Sequence, residues 1–300
     1  MPNSVPSSLN GWWSDYKSEI GFLGFSYAVD GCQSASTLKS EFKDIRKRFH
    51  GRYVRLYGAC DRNGFYDDVV DAAWDAGLGV HALIWFGFDG SDVWKTRRDS
   101  LFATLHSNPK AKFVTRAVQF GSEPLFDHVL PPDTLASQVK SAKQNLAPLG
   151  ILVTVSDMAY GYQSNGGAQS VLDAVDFVDL HMLPFFSTTA TTADASWGFV
   201  QNDLKWINSK VHGKKIILSE NGWPSMQSGS TRSSSPTAVA DVQQEQAYFD
   251  LLDSKCEVFK NNPGGGVGWF AHLYSEEQGA GYGILDNGKL KFPFSPRTSC

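Results

Sequence analysis

The chain has 300 residues, 42% of them apolar and 13% aromatic, with a formal net charge of −4. That is enough apolar material for a sizeable core, in one large domain or two small ones. The near-neutral balance and the absence of a basic block argue against a nucleic-acid partner, because phosphate binding needs clustered Lys and Arg. No apolar run is long enough to span a bilayer, and residues 1–6 lack the apolar centre of a signal peptide.

In chain order, a polar lead segment (1–19) precedes a first predicted strand at 20–27. Leu38, Phe42, Ile45 and Phe49 share one helical face, predicting a helix over 37–49. A strand at 53–57 and a short helix at 66–76 follow, the helix stopped by Gly77. A third strand is predicted at 79–86, a helix at 92–106 and a fourth strand at 114–121. The pattern continues with a helix at 133–146, a strand at 151–155, a short helix at 169–174 and a strand at 177–181. A helix at 197–211, a strand at 215–219, a long helix at 240–259 and an eighth strand at 268–273 complete it. Strands alternating with helical segments imply parallel βαβ units. Eight of them in this length predict an α/β fold of a single domain over 1–300, a closed (β/α)8 TIM barrel. A doubly wound open sheet is the rival, but no Gly-x-Gly-x-x-Gly opens the first helix.

In such a barrel the active face is formed by the C-terminal ends of the strands. Two strand ends have the same build: Val118-Gln119-Phe120-Gly121-Ser122-Glu123-Pro124, and Ile216-Ile217-Leu218-Ser219-Glu220-Asn221-Gly222-Trp223-Pro224. Each delivers one Glu, and Pro124 disfavours helical geometry at Glu123, so the chain should turn away there. A lone Glu at a strand end usually marks only where the strand surfaces; two with matching Gly, Pro and aromatic neighbours point to a catalytic pair. Strands four and seven are not neighbours and would face each other across the mouth. Around the same rim fall Tyr27, Tyr57, Trp85, Asp157, Tyr160, Phe185, Trp223, Trp269, Tyr274 and Glu276. Alternating aromatics and carboxylates suit a sugar polymer, the rings stacking on pyranose C–H groups. His181 reads as a hydrogen-bonding or packing residue. No His or Cys spacing suggests a metal, no Gly-x-Ser-x-Gly elbow suggests a triad, and no cofactor is expected. Two carboxylates fit glycoside hydrolysis, one as proton donor and one as nucleophile or base.

The four cysteines, Cys32, Cys60, Cys256 and Cys300, contain no Cys-x-x-Cys pair and allow three pairings, or none if they are free thiols. Barrel topology puts Cys32 and Cys60 in neighbouring loops, and Cys256 near the end of the last long helix. The pairs Cys32–Cys60 and Cys256–Cys300 are therefore expected, and with them a secreted protein.

Gly121-Ser122-Glu123 and Ser219-Glu220-Asn221-Gly222-Trp223-Pro224-Ser225 resemble the two signatures of glycoside hydrolase family 17. Arg55-Leu56-Tyr57, Pro184-Phe185-Phe186 and Tyr274-Ser275-Glu276 are similar to its other landmarks. The resemblance runs from residue 20 onward. It implies an enzyme acting on β-1,3-glucan with retention, by hydrolysis or glucanosyl transfer, with Glu123 as acid/base and Glu220 as nucleophile; a monomer in a secreted or cell-wall setting is expected. Three positions depart from the family pattern. Ser122 stands where an Asn would bond the sugar 2-hydroxyl, Leu183 replaces a Tyr, and Gly279 replaces a Lys. These leave open the same chemistry on another β-linked polysaccharide, or a glucan-binding barrel with weakened catalysis.

Overall fold

The computed structural model describes all residues except 1, 3 and 230. The predicted alternation folds as eight strands: β1 (Gly21–Ala28), β2 (Tyr53–Tyr57), β3 (Gly79–Ile84), β4 (Thr115–Ser122), β5 (Leu152–Met158), β6 (Val178–Met182), β7 (Ile216–Asn221) and β8 (Val267–Ala271). They pair in sequence order, and β8 closes on β1 in parallel, giving a closed barrel. Nearly every strand residue is buried, because helices cover the outside and side chains fill the inside. This is why these segments read as continuous apolar runs rather than alternating ones.

The helices are α1 (Ala35–Arg48), α2 (Phe65–Ala76), α3 (Val93–Ser107), α4 (Ala111–Val114), α5 (Pro132–Leu146), α6 (Ala159–Ser164), α7 (Gln169–Ala174), α8 (Trp197–Val211), α9 (Val242–Ser254) and α10 (Cys256–Lys260). Local chemistry sets their ends. Ser34 caps α1 by accepting from the Thr37 N–H, and the helix buries Leu38, Phe42 and Ile45 as the spacing predicts. Gly77 ends α2 in the left-handed conformation, its N–H bonded back to Ala73. The long helix expected over 240–259 is instead two, broken at Lys255 immediately before the disulfide-bonded Cys256. Two short helices, α4 and α6, and the hairpin of β9 (Leu285–Asp286) and β10 (Lys289–Leu290) were too brief to show a period in sequence.

The lead segment closes the barrel floor. Trp13 and Tyr16 pack against Tyr53, Phe177 and Phe270 at the N-terminal ends of the strands. Tyr16 meets Phe177 edge-on at 5.1 Å, and the Arg116 guanidinium lies 5.3 Å from both the Trp13 and Tyr16 rings. The lead segment thus covers the end of the barrel opposite the C-terminal mouth.

Both expected disulfides are present, Cys32–Cys60 and Cys256–Cys300. The first ties together the β1 and β2 loops at the mouth; the second ties the chain end to α10. They close spans of 28 and 44 residues, which on loop entropy stabilises the fold by about 3–4 kcal/mol each. Reduction and alkylation is expected to lower the guanidinium midpoint clearly; an unchanged midpoint would contradict this role.

Candidate active site at the mouth of the barrel

The end of β4 is shaped by its own sequence. Gly121 takes φ +101°, and a side chain there would strike Phe86 at 2.7 Å and Pro124 at 2.9 Å. The β4–β5 register slips between Gln119 and Ser122, a bulge that re-aims the residues after it. Glu123 then sits at φ +56°, rare for a non-glycine residue, with its N–H donating to the Ser156 carbonyl at 2.7 Å. The turn expected from Pro124 is thus realised as a left-handed one. Asp157 holds the segment that follows, accepting from the Leu125 N–H at 2.7 Å and the Phe126 N–H at 3.4 Å.

Opposite, Glu220 lies within β7 and is 4% exposed. Arg55 of β2, wholly buried, reaches it across the barrel: Nη1 donates to Glu220 Oε1 at 2.7 Å. The rest of the guanidinium is also satisfied, Nε by Gln119 Oε1 at 2.6 Å and Nη2 by Ser156 Oγ at 2.9 Å. Ser122 donates to the same Glu220 oxygen at 2.9 Å. His181 of β6 stands between the carboxylates, Nδ1 at 2.9 Å from Glu123 Oε1 and Nε2 at 3.2 Å from Glu220 Oε1. One oxygen of each Glu and a His181 nitrogen lie within 4.8 Å of one another. Arg55 supplies positive charge at this point, so the group is an ion-pair network.

The electrostatics follow from these contacts. Burial alone would raise Glu220, but His181, Arg55 and His272 outweigh it and hold the carboxyl well below the usual range. Burial would lower His181, but Glu220 and Glu123 outweigh it and raise the imidazole. Tyr57 is raised first by the charge of Glu220 and then by burial. Beneath the site Asp179 of β6 is fully buried with neither oxygen hydrogen-bonded, and burial pushes it up to about 7. Its folded-state pKa exceeds the unfolded value near 3.9, so its contribution to stability is complete below about pH 4 and lost as pH rises through about 7. Asp179→Asn is expected to flatten part of the decline in urea midpoint between pH 4.5 and 7.5; an unchanged profile would contradict it.

The other predicted site residues divide. Tyr57 and Trp85 are half-buried at the mouth, Trp85 with the Arg97 guanidinium 5.3 Å from its ring. Tyr160 is 61% exposed and pairs edge-on with Phe126, itself 40% exposed, three residues beyond Glu123. Ser122 touches the candidate nucleophile directly. Five expected rim aromatics are not on the rim. Tyr27 points outward to α1, packing on Phe42 and bonding Glu41. Trp269 packs on Phe22 and Phe249 behind the sheet, and Tyr274 lies on Phe25 and Phe49 with its hydroxyl on Asp44. Phe185 and Trp223 are buried against each other at 5.2 Å, and Trp223 Nε1 donates to the Val239 carbonyl; they anchor the β6 and β7 loops. Asp157 acts on the loop backbone, as above. Glu276 is also structural: it accepts from the Gly281 N–H at 2.6 Å and pairs with Lys291, which bonds Glu245 at 2.6 Å as well. A side chain at Gly279 would meet Leu273 at 2.3 Å. Arg55, Gln119, Ser156 and His181 join the site without having stood out in the sequence as part of it. Their common signal was polar character inside otherwise apolar strands.

The sequence profile of the BtgE/BtgC glycoside hydrolase domain matches residues 24–276. The chain belongs to that family. A curated relative, the probable glucan endo-1,3-β-glucosidase eglC of Aspergillus terreus, is 28% identical over 138 residues; the aligned stretch is 43% of this chain and 26% of that protein. The chain thus spans only about a quarter of that relative's length. Among solved structures, a glycoside hydrolase family 17 β-1,3-glucanosyltransferase from Rhizomucor miehei superposes with a TM-score of 0.73 at 23% identity, over 91% of this chain and 96% of that one. An active-site mutant of the same enzyme, in complex with laminaritriose, matches equally. An endo-1,4-β-mannanase from Rhizomucor miehei shares the barrel more distantly, with a TM-score of 0.59 at 14% identity over 90% of this chain and 91% of that one. At these identities the structural likenesses speak for the BtgE/BtgC member's fold.

Proposed function

We propose that this glycoside hydrolase cleaves β-1,3-glucan with retention, passing the released chain to water or to a second glucan. The observation that carries the reading is a pair of carboxylates at the ends of β4 and β7, one oxygen of each within 4.8 Å of the other. Carboxyl groups about 5 Å apart suit a covalent glycosyl-enzyme, whereas inversion needs roughly 6.5–9.5 Å to admit a water. Glu220, ionised and held by Arg55, Ser122 and His181, attacks the anomeric carbon. Glu123, on the open side with 26% of its side chain exposed, protonates the leaving oxygen and later deprotonates the acceptor hydroxyl. The glucan substrate is supported by the named activities of the relatives. Tyr57, Trp85 and Tyr160 offer stacking faces around the mouth, and Tyr160 with Phe126 lies on the Glu123 side, where an acceptor sugar would arrive. The two disulfides favour a secreted or cell-wall setting, and a monomer suffices for the site.

The test is active-site labelling. A 2-deoxy-2-fluoro glucoside with a good leaving group should form a stable adduct on the peptide carrying Glu220. An adduct elsewhere, or none while glucan is still cleaved, would overturn the assignment.

A further inference from the structure

His181 is 2% exposed, and its two ring nitrogens face different carboxylates. Nδ1 meets Glu123 at 2.9 Å, while Nε2 meets Glu220 at 3.2 Å and Ser156 Oγ. A residue that merely filled the barrel would need neither contact. We propose that His181 is a positioning residue that shares the catalytic proton with Glu123 through Nδ1 while holding Glu220 through Nε2, so that the three groups titrate as one unit. This rests on the roles given above to Glu123 and Glu220.

The chemistry of the first step shows what the bridge does. A bond forms between a Glu220 oxygen and the anomeric carbon, the bond from that carbon to the leaving oxygen breaks, and the proton passes from Glu123 to that oxygen. Negative charge therefore disappears at Glu220 and appears at Glu123. The imidazole keeps one hydrogen-bonding nitrogen on each, so it faces the ionised carboxylate before and after the step without moving. Its own proton count is the same at both ends of the step. The second step reverses the transfer as Glu123 takes a proton from the acceptor.

The charged groups around the ring are few. Arg55 of β2 lies 3.4 Å from Nε2. Glu123 and Asp127 come from the end of β4 and its loop, Asp157 from β5, Asp179 from its own strand, Glu220 from β7 and His272 from the residue that follows β8. Burial and Arg55 disfavour an imidazolium, and Glu220 and Glu123 favour it. His272 is a control within the same site: equally enclosed but without a carboxylate bond, it is pushed down by burial to about 4, whereas His181 moves up.

The experiment has two arms. In the first, kcat/KM against pH is measured on a β-1,3-gluco-oligosaccharide for the wild type, His181→Gln and His181→Asn. The alkaline limb, set in the wild type by loss of the shared proton from the coupled groups, should fall by about one pH unit in both variants, where Glu123 holds that proton alone. Activity scaled down with an unmoved limb would overturn the proposal. In the second, the His181 imidazole is titrated by NMR in the wild type, Glu123→Gln and Glu220→Gln, which needs neither turnover nor a folded His181 variant. Each change should lower the midpoint; identical midpoints in all three proteins would overturn the coupling while leaving the two carboxylate roles untouched. If instead the Glu variants still cleave glucan, it is the assignment of catalytic roles that fails.

Discussion

Glu220→Ala is expected to lower turnover on glucan by a factor on the order of 10⁴ or more, because a retaining enzyme without its nucleophile cannot form the covalent intermediate. The substitution removes the group on which Arg55 Nη1, Ser122 Oγ and His181 Nε2 converge. A space is left beside three donors, suited to a small anion. Added azide should therefore restore cleavage of an activated β-glucoside and yield the α-glycosyl azide, since azide then attacks from the face that Glu220 used. A β-azide would exchange the roles of the two carboxylates. Residual activity above roughly a hundredth of the wild type would remove Glu220 from the mechanism.

Arg55→Met should cost about 3–5 kcal/mol of stability, the typical effect of breaking a buried ion pair from one side. Arg55 is wholly buried and binds three barrel strands besides its own, through Gln119, Ser156 and Glu220. Methionine fills the space but leaves Glu220 without its cation. The pH dependence has a definite sign. Glu220 is depressed in the folded state, so its contribution is complete above the unfolded value near 4.3 and lost as pH falls toward the depressed one. The variant lacks that contribution and should acid-denature at higher pH than the wild type. The acid limb of its residual activity should move up as well, because Glu220 would hold its proton longer. Arg55→Lys is not expected to rescue, as a single ammonium cannot replace a fork that bonds three acceptors. Denaturant titrations at pH 5 and 7 check this, and a loss below about 1 kcal/mol would contradict it.

The strands were legible because barrel strands are buried on both faces and stand out as apolar runs bounded by Gly and Pro. The same property hid which way each side chain points. Tyr27, Trp269 and Tyr274 lie at or near strand ends, as expected, yet pack outward, against Phe42 of α1, Phe249 of α9, and Phe25 with Phe49. Double-sided burial leaves no alternation by which to choose a face. Glu123 and Glu220 escaped the ambiguity because a carboxylate at such a position has few tolerable places to point. Trp223 looked like a platform beside Glu220, but its indole N–H finds the Val239 carbonyl inside the protein. The network could not be read in advance, since Arg55, Gln119, Ser156 and His181 are scattered in sequence and meet only when the sheet closes. The serine at position 122 shows the limit of a pattern departure read alone. It looked like a lost sugar contact, and the fold gives it a direct bond to Glu220 instead.

The central claim is retaining cleavage by Glu123 and Glu220, and the most direct measurement follows the anomeric protons of a defined β-1,3-gluco-oligosaccharide by NMR as the enzyme acts, with chain length followed by mass. The account predicts that the β-anomer of the new reducing end appears first and converts to the equilibrium mixture only afterwards, with longer chains accumulating if a second glucan competes with water. The α-anomer appearing first would contradict the mechanism, and no new reducing ends while the oligosaccharide still binds would contradict the activity itself.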